Sequence, residues 1–170
     1  MPLPIAHGFL GASIVAAIHP KPTDRFYFPL LIGAFLANAA DFDFAFSIIF
    51  GLKGWHRGFT HSIFFALIFT LILLISFGRN YFREALAYGL AFTSHCFLDF
   101  VTTKEGDGLE LLFPFLTDRF GLRWFGLSEI PSRFSTFEIL NTIGLELLIF
   151  APVFMFVFWL RTFVKKKEAQ

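Results

Sequence analysis

The segment "GFTHSIFFALIFTLILLISFG", residues 58–78, contains no Asp, Glu, Lys or Arg. As a helix rising about 1.5 Å per residue, it is long enough to cross the ~30 Å hydrocarbon core of a bilayer. The polar stretch "HRGFTHS", residues 56–62, stands at its beginning and brings two histidines and an arginine to the edge of an apolar run. The pattern therefore predicts a membrane helix with a polar entrance.

The composition of the whole chain agrees with a membrane environment. Of 170 residues, 56% are hydrophobic and 28 are Phe, while only 16% are charged. A soluble domain of this length could not bury so much apolar surface, so the sequence predicts an integral membrane protein. The net charge of +1 gives no indication of nucleic-acid binding, and a single cysteine, Cys96, excludes both an intramolecular disulfide and a cysteine-rich zinc site.

Gaps between charged residues predict a single all-α domain over residues 1–170, a small bundle of about five transmembrane helices. The stretch between helices four and five, residues 101–135, mixes aromatic and basic residues in "LLFPFLTDRFGLRWFGL", which favours an interfacial or re-entrant loop. The opening of the chain has no basic leader, so we expect no cleaved signal peptide. The predicted helices span residues 4–19, 26–40, 61–78, 83–100 and 137–160.

The distribution of basic residues predicts the orientation of the bundle. With five passes, eight Lys and Arg residues fall in short segments on one face, and six fall in longer segments on the other. Because basic residues in short loops favour the cytoplasm, we expect a multi-pass protein of the inner or plasma membrane, with its N-terminus outside and its C-terminus cytoplasmic. The first group is Lys21, Arg25, Arg79, Arg83, Arg161, Lys165, Lys166 and Lys167; the second is Lys53, Arg57, Lys104, Arg119, Arg123 and Arg133.

Ionisable residues lie at the helix ends that this topology places on the non-cytoplasmic side. His95 and Asp99 are four residues apart, which puts them on one face of helix four, whereas His56 and His61 do not share a face. Buried ionisable groups near a bilayer core are costly unless they are paired or bound to a metal, so such a group indicates a functional site. The set is His7, Asp41, Asp43, His56, His61, His95 and Asp99.

Imidazole and carboxylate groups together favour a divalent metal ion, with zinc first and manganese, iron or nickel as alternatives. A magnesium or calcium site would contain fewer histidines. Seven candidates exceed the needs of one ion, so either two ions or one ion with a general base is possible. The predicted ligands are His7, Asp41, His56, His61, His95 and Asp99, and the predicted catalytic residues are Asp41, Asp43 and Arg57.

Each of these residues also has a structural interpretation. A single histidine is more often an interfacial or hydrogen-bonded residue than a metal ligand. Asp41 and Asp43 could cap a helix or face water. His19 lies on the opposite side and is interpreted as structural. Glu146 could line the site or form a hydrogen bond within the bundle. Arg57 could pair with Asp41 or Asp43, or could bind an anionic substrate.

Four blocks of the sequence resemble a known family. "AHGFLGAS", "ADFDF", "HRGFTHS" and "SHCFLDFVTTKEGDGLELLFPF" are similar to successive blocks of the LexA-regulated, membrane-bound, metal-dependent hydrolase-like family of the YdjM type. The resemblance spans about residues 5–116, and His-Arg-Gly-x-Thr-His-Ser is its most specific block. Ala40 stands where members of the family usually have Pro, and this difference removes no predicted ligand. The resemblance implies metal and catalytic roles for the seven His and Asp residues.

The predicted function is hydrolysis by water that a divalent metal ion activates, with an aspartate accepting the proton. A site at headgroup depth favours a small amphiphilic substrate drawn from the lipid bilayer, first a phosphoester of a lipid and second an acyl ester or amide. Two other functions remain open. A metal-ion carrier would need polar residues along both halves of its path, and a structural metal site would have saturated coordination.

Overall fold

The computed structural model describes residues 2–20, 27–51, 56–103, 108–122 and 136–168, with side chains as far as Val164 in the last helix. Within these ranges the chain forms α-helices and no strand, which confirms the all-α prediction. Lys21, Arg25, Lys53, Lys104, Arg123 and Arg133 lie outside the described residues. The helices are α1 (Pro4–Ile18), α2 (Tyr27–Leu36), α3 (Asp43–Phe50), α4 (Ile63–Phe77), α5 (Phe82–Thr102) and α6 (Thr136–Glu168).

Helix α1 lies at the centre of the bundle and contacts α2, α5 and α6. Pro4 opens it, at a position where the missing N–H of proline costs nothing. It ends at Ile18, because the residue before Pro20 is disfavoured in the helical conformation. This central helix carries His7 in its second turn, so the placement of α1 determines the placement of that histidine.

Small residues allow α1 and α2 to approach closely. A Cβ atom at Gly11 would lie 2.4 Å from the backbone oxygen of Gly33, and one at Gly33 would lie 2.5 Å from Val15 Cγ2. Only glycine fits at both positions, as is common where membrane helices cross without a hydrophobic driving force. This contact holds the end of α2, and the residues that follow it, against the core.

The second predicted helix, residues 26–40, is shorter in the structure. Helix α2 ends at Leu36, a 3-10 segment covers Ala39–Phe42, and α3 follows. The segment Ala39–Phe50 is bent by 51° from α2. The break leaves carbonyl groups at the end of α2 and just after it without helical partners, and side chains satisfy one of each. Asn38 Nδ2 donates to Ala34 O at 2.8 Å, and the ring of His95 donates to Ala37 O at 2.7 Å.

Helices α4 and α5 form a bent pair with an angle of 117°. The Ser62 hydroxyl caps α4 by accepting a hydrogen bond from Phe65 N at 3.0 Å, so α4 begins at Ile63 and not at His61. Gly78, with φ of 70°, ends it in a conformation that favours glycine. The predicted bounds 83–100 and 137–160 differ by one to eight residues from those of α5, which covers residues 82–102, and of α6, which covers residues 136–168.

Length and composition identify the segments of the described chain that can cross a membrane. Thr136–Val164 of α6 is long and apolar enough by itself. Two pairs of helical segments joined by a bend are also long and apolar enough when each pair is counted as one span. They are α2 with residues 39–50 and α4 with residues 79–102. The structure thus supports between one and three spans, and the count of five remains a prediction.

Residues 108–122 of the predicted interfacial loop pack against the beginning of α4 and the end of α5. Ile63 N donates to Leu111 O at 3.0 Å, and Leu122 N donates to Phe100 O at 2.7 Å. A single antiparallel bridge joins Leu109 to Phe120. The segment therefore covers the polar stretch 56–62, and the remaining residues of the predicted loop, 104–107 and 123–135, lie outside the described ones.

Candidate metal centre

Four side chains from three parts of the chain place one ligand atom each within 4.8 Å of one another. Nε2 of His61 and Nε2 of His95 are 3.0 Å apart, and each lies 3.4 Å from Asp41 Oδ1 and 3.8 Å from Asp99 Oδ2. A tetrahedral zinc ion with bonds of ~2.1 Å holds its ligand atoms ~3.4 Å apart. The cluster thus has the dimensions of a four-coordinate metal site.

The ring of His95 is oriented by the break after α2. Its Nδ1 lies 2.7 Å from the carbonyl oxygen of Ala37. Because a carbonyl oxygen can only accept, Nδ1 carries the hydrogen, and Nε2 of the neutral ring presents a lone pair to the cluster. A backbone carbonyl behind a histidine is a common way to fix the tautomer of a metal ligand.

The ring of His61 is oriented in the same way by side chains. The Thr60 hydroxyl donates to Asp43 Oδ2 at 2.6 Å, and its oxygen lies 3.0 Å from His61 Nδ1, which therefore donates to it. Asp43 Oδ2 also lies 3.4 Å from that nitrogen. With the hydrogen on Nδ1, Nε2 of the neutral ring faces the cluster as an acceptor.

Two neutral histidines in this arrangement would direct lone pairs at each other across 3.0 Å, so the centre requires a cation between them. In the metal-free protein a proton meets this requirement. Burial disfavours the charged form of His61, but hydrogen bonds with Asp41 and Asp43 outweigh it and raise the pKa of His61 to about 9. A divalent metal ion meets the same requirement.

The buried carboxylate oxygens of the cluster have histidine nitrogens as neighbours but no close hydrogen-bond donor in the described chain. Asp41 Oδ1 lies 3.4 Å from Nε2 of His61 and of His95, and the oxygens of Asp99 lie 3.3 Å from Nε2 of His7 and 3.8 Å from Nε2 of His61 and of His95. Buried carboxylate oxygens are costly unless they are hydrogen-bonded, paired or bound to a metal. The donor set, its distances and these oxygens all fit a divalent cation.

His7 is in contact with the cluster but not among its four closest ligand atoms. Its ring stacks on that of His95, with centroids 4.1 Å apart, and its Nε2 lies 3.3 Å from Asp99 Oδ1. His7 is completely buried, and neither ring nitrogen forms a hydrogen bond within the described chain. Asp99 thus faces His7 with Oδ1 and faces His61 and His95 with Oδ2.

His56, Asp43 and Arg57 lie behind His61. His56 Nδ1 is 2.9 Å from Asp43 Oδ1, and Arg57 N donates to Asp43 Oδ2 at 3.1 Å. Arg57 adopts the left-handed conformation, with φ of 63°, at the turn before Gly58. The predicted ligand His56 and the predicted catalytic residue Asp43 are therefore brought together one layer outside the cluster, where Asp43 orients His61.

Asp41 is the most accessible member of the cluster. Its side chain is 22% exposed, whereas those of His61, His95 and Asp99 are completely buried. Asp41 lies in the 3-10 segment Ala39–Phe42, where the chain turns from α2 to α3. The accessible side of the cluster is therefore the side on which Asp41 lies.

Some contributing groups could not be identified from the sequence. Thr60 lies within the quoted "HRGFTHS" block, but its spacing gives no sign of the bridge between Asp43 and His61. The carbonyl of Ala37 has no sequence signal, because it depends on where α2 ends. Glu146 does not reach the cluster, since it accepts hydrogen bonds from the backbone at the start of α1. His19 lies at the opposite end of α1.

Comparison with known proteins identifies the family. Residues 1–169 match the family described as YdjM inner membrane protein. The chain belongs to this family. The chain is also 34% identical over 145 residues to the inner membrane protein YbcI of Escherichia coli (strain K12). The aligned region covers 80% of this chain and 83% of that protein. No solved structure matches the chain. Membership of the family supports the membrane localisation that the composition predicts.

Proposed function

We propose that the protein is a membrane-bound hydrolase that depends on a divalent metal ion. The observation that supports this proposal is the set of four ligand atoms from Asp41, His61, His95 and Asp99, with the lone pairs of two oriented histidines directed at one point. Zinc suits two imidazoles and carboxylates at these distances, and manganese, iron and nickel share the same ligand preferences. The family resemblance in the sequence points to the same chemistry.

The proposed roles follow from burial. His61, His95 and Asp99 are completely buried and would hold the ion from inside the bundle. A metal ion bound there would acidify water and polarise the bond under attack. The carboxylate of Asp41, at the accessible side, would accept the proton released from water and exchange it with the surroundings. His7 would fix Asp99 through the oxygen that faces away from the ion.

The proposed substrate is amphiphilic, because the site lies in a membrane protein beneath the segment 108–122, which is rich in Leu and Phe. Phe115 and Leu116 of this segment are exposed, as expected for side chains that contact lipid. A phosphoester is the first candidate and an acyl ester or amide the second. Arg57 would bind the phosphate, since guanidinium suits that group, although its side chain is only 9% exposed. Arg57→Lys, which retains the charge but not the planar donor geometry, tests this role.

A purely structural metal site is the second candidate. Four protein ligands can saturate a tetrahedral ion, and closed coordination is typical of structural zinc, whereas catalytic zinc leaves one position open. The two functions assign different roles to Asp41. In a structural site it is the fourth ligand, whereas in a hydrolase it is the proton acceptor beside the open position.

Asp41→Asn separates these two functions. The purified variant in detergent is analysed for metal content and for hydrolysis of a fluorescent phospholipid phosphoester and a matched acyl ester. If the protein is a hydrolase, Asp41→Asn should retain a stoichiometric ion and lose at least ~100-fold of its activity, as expected when a general base is removed. If the metal site is purely structural, Asp41→Asn should lose the ion, and the parent protein should hydrolyse neither ester. His95→Ala serves as the metal-free control for both measurements.

We further propose five passes with the centre on the non-cytoplasmic side, as the basic residues predict. The contacts between α1 and α6 support this arrangement. Glu146 lies at the start of α1 and Arg161 at its end, so the two helices run parallel. The start of α1, near His7, therefore lies on the same side as the start of α6, and the basic tail of α6 lies on the opposite side.

A further inference from the structure

Helix α1 begins without a local cap. The residue before its first turn is Leu3, whose side chain cannot accept a hydrogen bond. The N–H groups of the first turn lack helical partners, and leaving them unsatisfied in an apolar environment costs several kcal/mol each. Ala6 N donates to Leu3 O at 3.1 Å within the turn, and Glu146 of α6 supplies the side-chain acceptors, because its two oxygens accept from Leu3 N and from Ala6 N, the latter at 3.1 Å. Glu146 is completely buried.

Helix α6 also closes the other end of α1. The guanidinium of Arg161 donates to Ala16 O and to His19 O, the latter at 2.7 Å. An anionic group thus lies at the N-terminus of α1 and a cationic group at its C-terminus, which is the favourable arrangement for the helix dipole. These two polar contacts, on either side of the apolar interface, hold α1 in one register against α6.

We infer that Glu146 is a positioning residue for His7 and, through His7 and Asp99, for the metal centre. Ala6, one of the groups that Glu146 holds, directly precedes His7. Adjacent residues differ by about 100° around a helix, so a slip of one position would turn His7 away from Asp99 and from the ring of His95. The inference rests on the proposed function only in requiring that the cluster binds a metal ion.

Glu146→Leu tests the inference, with Co²⁺ as the probe in the purified full-length protein. The visible absorption of bound Co²⁺ reports coordination geometry, and its titration gives the affinity. We expect the variant to bind Co²⁺ ~10–100-fold more weakly, as is usual when a group that orients a metal ligand is lost, and with an altered spectrum. Glu146→Gln, which keeps one acceptor oxygen, should fall between the parent and Glu146→Leu.

A second substitution distinguishes positioning from simple capping. Leu3→Ser supplies a local acceptor for Ala6 N, so in the Glu146→Leu background it restores the first turn but not the connection to α6. Positioning predicts that the double variant regains thermal stability while its Co²⁺ affinity stays low and its spectrum stays altered. Full recovery of affinity and spectrum in the double variant would reduce Glu146 to a helix cap and overturn the inference.

Arg161→Leu is the matched control, because it removes the contact at the end of α1 that is distant from His7. We expect a loss of thermal stability with Co²⁺ affinity within about 3-fold of the parent, since distant sites act independently. Parent-like binding by folded Glu146→Leu would also contradict the inference. Failure of the proposed function gives a separate result, namely that the parent protein itself binds no Co²⁺.

Discussion

Nε2 of His61 and Nε2 of His95 lie 3.0 Å apart, and the hydrogen bonds on the far side of each ring leave both atoms as acceptors in the neutral state. Such a pair is stable only with a cation between the rings. The two carboxylate oxygens that complete the cluster add negative charge at the same point.

The purified protein should contain a stoichiometric divalent metal ion that depends on the two histidines. His61→Ala and His95→Ala each remove a ligand, and we expect a loss of affinity greater than the ~10–100-fold that is typical of outer groups. His19→Ala, at the opposite end of α1, should leave the metal content unchanged. Elemental analysis of folded samples measures all three. A full complement of metal in His95→Ala would show that the cluster is not the binding site.

Metal binding should release a proton from His61. In the metal-free protein its pKa of about 9 keeps the ring protonated at pH 7, whereas ligation requires the neutral ring. The affinity should therefore rise with pH, by about tenfold per unit up to pH 9, and then level off as the proton is already lost. Calorimetry in buffers of different ionisation enthalpy counts the protons released, and His61→Ala should release fewer.

Asp43 should affect metal affinity without contacting the ion. Asp43→Asn retains the shape of the side chain but removes the charge behind the imidazole of His61, and we expect ~10–100-fold weaker binding. Thr60→Val, which removes the bridging hydroxyl between the two residues, should act in the same direction. Zinc titration against a competing chelator gives both values. If Asp43→Asn binds as tightly as the parent, Asp43 does not orient the ligand.

The elements of the fold that could be predicted are those that depend on local composition. The charge-free stretch 58–78 identifies a helix directly, because an apolar run is a property of consecutive residues. Once residues 83–100 are predicted to be helical, the spacing of His95 and Asp99 places them on one face. The end of α2 at Leu36 could not be predicted in this way. The carbonyl that follows this end, that of Ala37, is bonded to His95, 58 residues away in the sequence, and no local pattern indicates such a contact.

The same distinction applies to the centre. The grouping of Asp41, His61, His95 and Asp99 follows from helix ends on one side of the bundle, so the sequence predicted which residues would meet. It does not separate the inner cluster from the outer layer, since it predicts His56 as a metal ligand and Asp43 as a catalytic residue of the same site. The inner and outer groups differ in position by less than the distance between consecutive residues. Only the packing of the helices determines differences of that size.

The contact between α1 and α2 should be sensitive to a single methyl group. Gly11→Ala would place Cβ 2.4 Å from Gly33 O, a backbone atom that can yield only if the helices separate. We expect a loss of about 1–3 kcal/mol in the free energy of unfolding, as for other overpacked sites. At Gly144 of α6 a Cβ meets no described atom within 4 Å, so Gly144→Ala should be neutral or stabilising. Equal thermal stability of the two variants would contradict this account of the interface.

The centre should open on the non-cytoplasmic side of the membrane. Asp118 lies in the exposed part of the segment that packs over residues 56–62, next to Arg119, whose guanidinium donates to His56 O at 3.3 Å. The native Cys96 is buried, so a membrane-impermeant maleimide should react only with an introduced thiol. We expect Asp118→Cys to be labelled in intact spheroplasts, and a cysteine added after Gln170 to be labelled only after lysis, because the basic tail favours the cytoplasm. The parent protein is the control for Cys96. The reverse pattern of labelling would place the centre, and any substrate that it takes, on the cytoplasmic side.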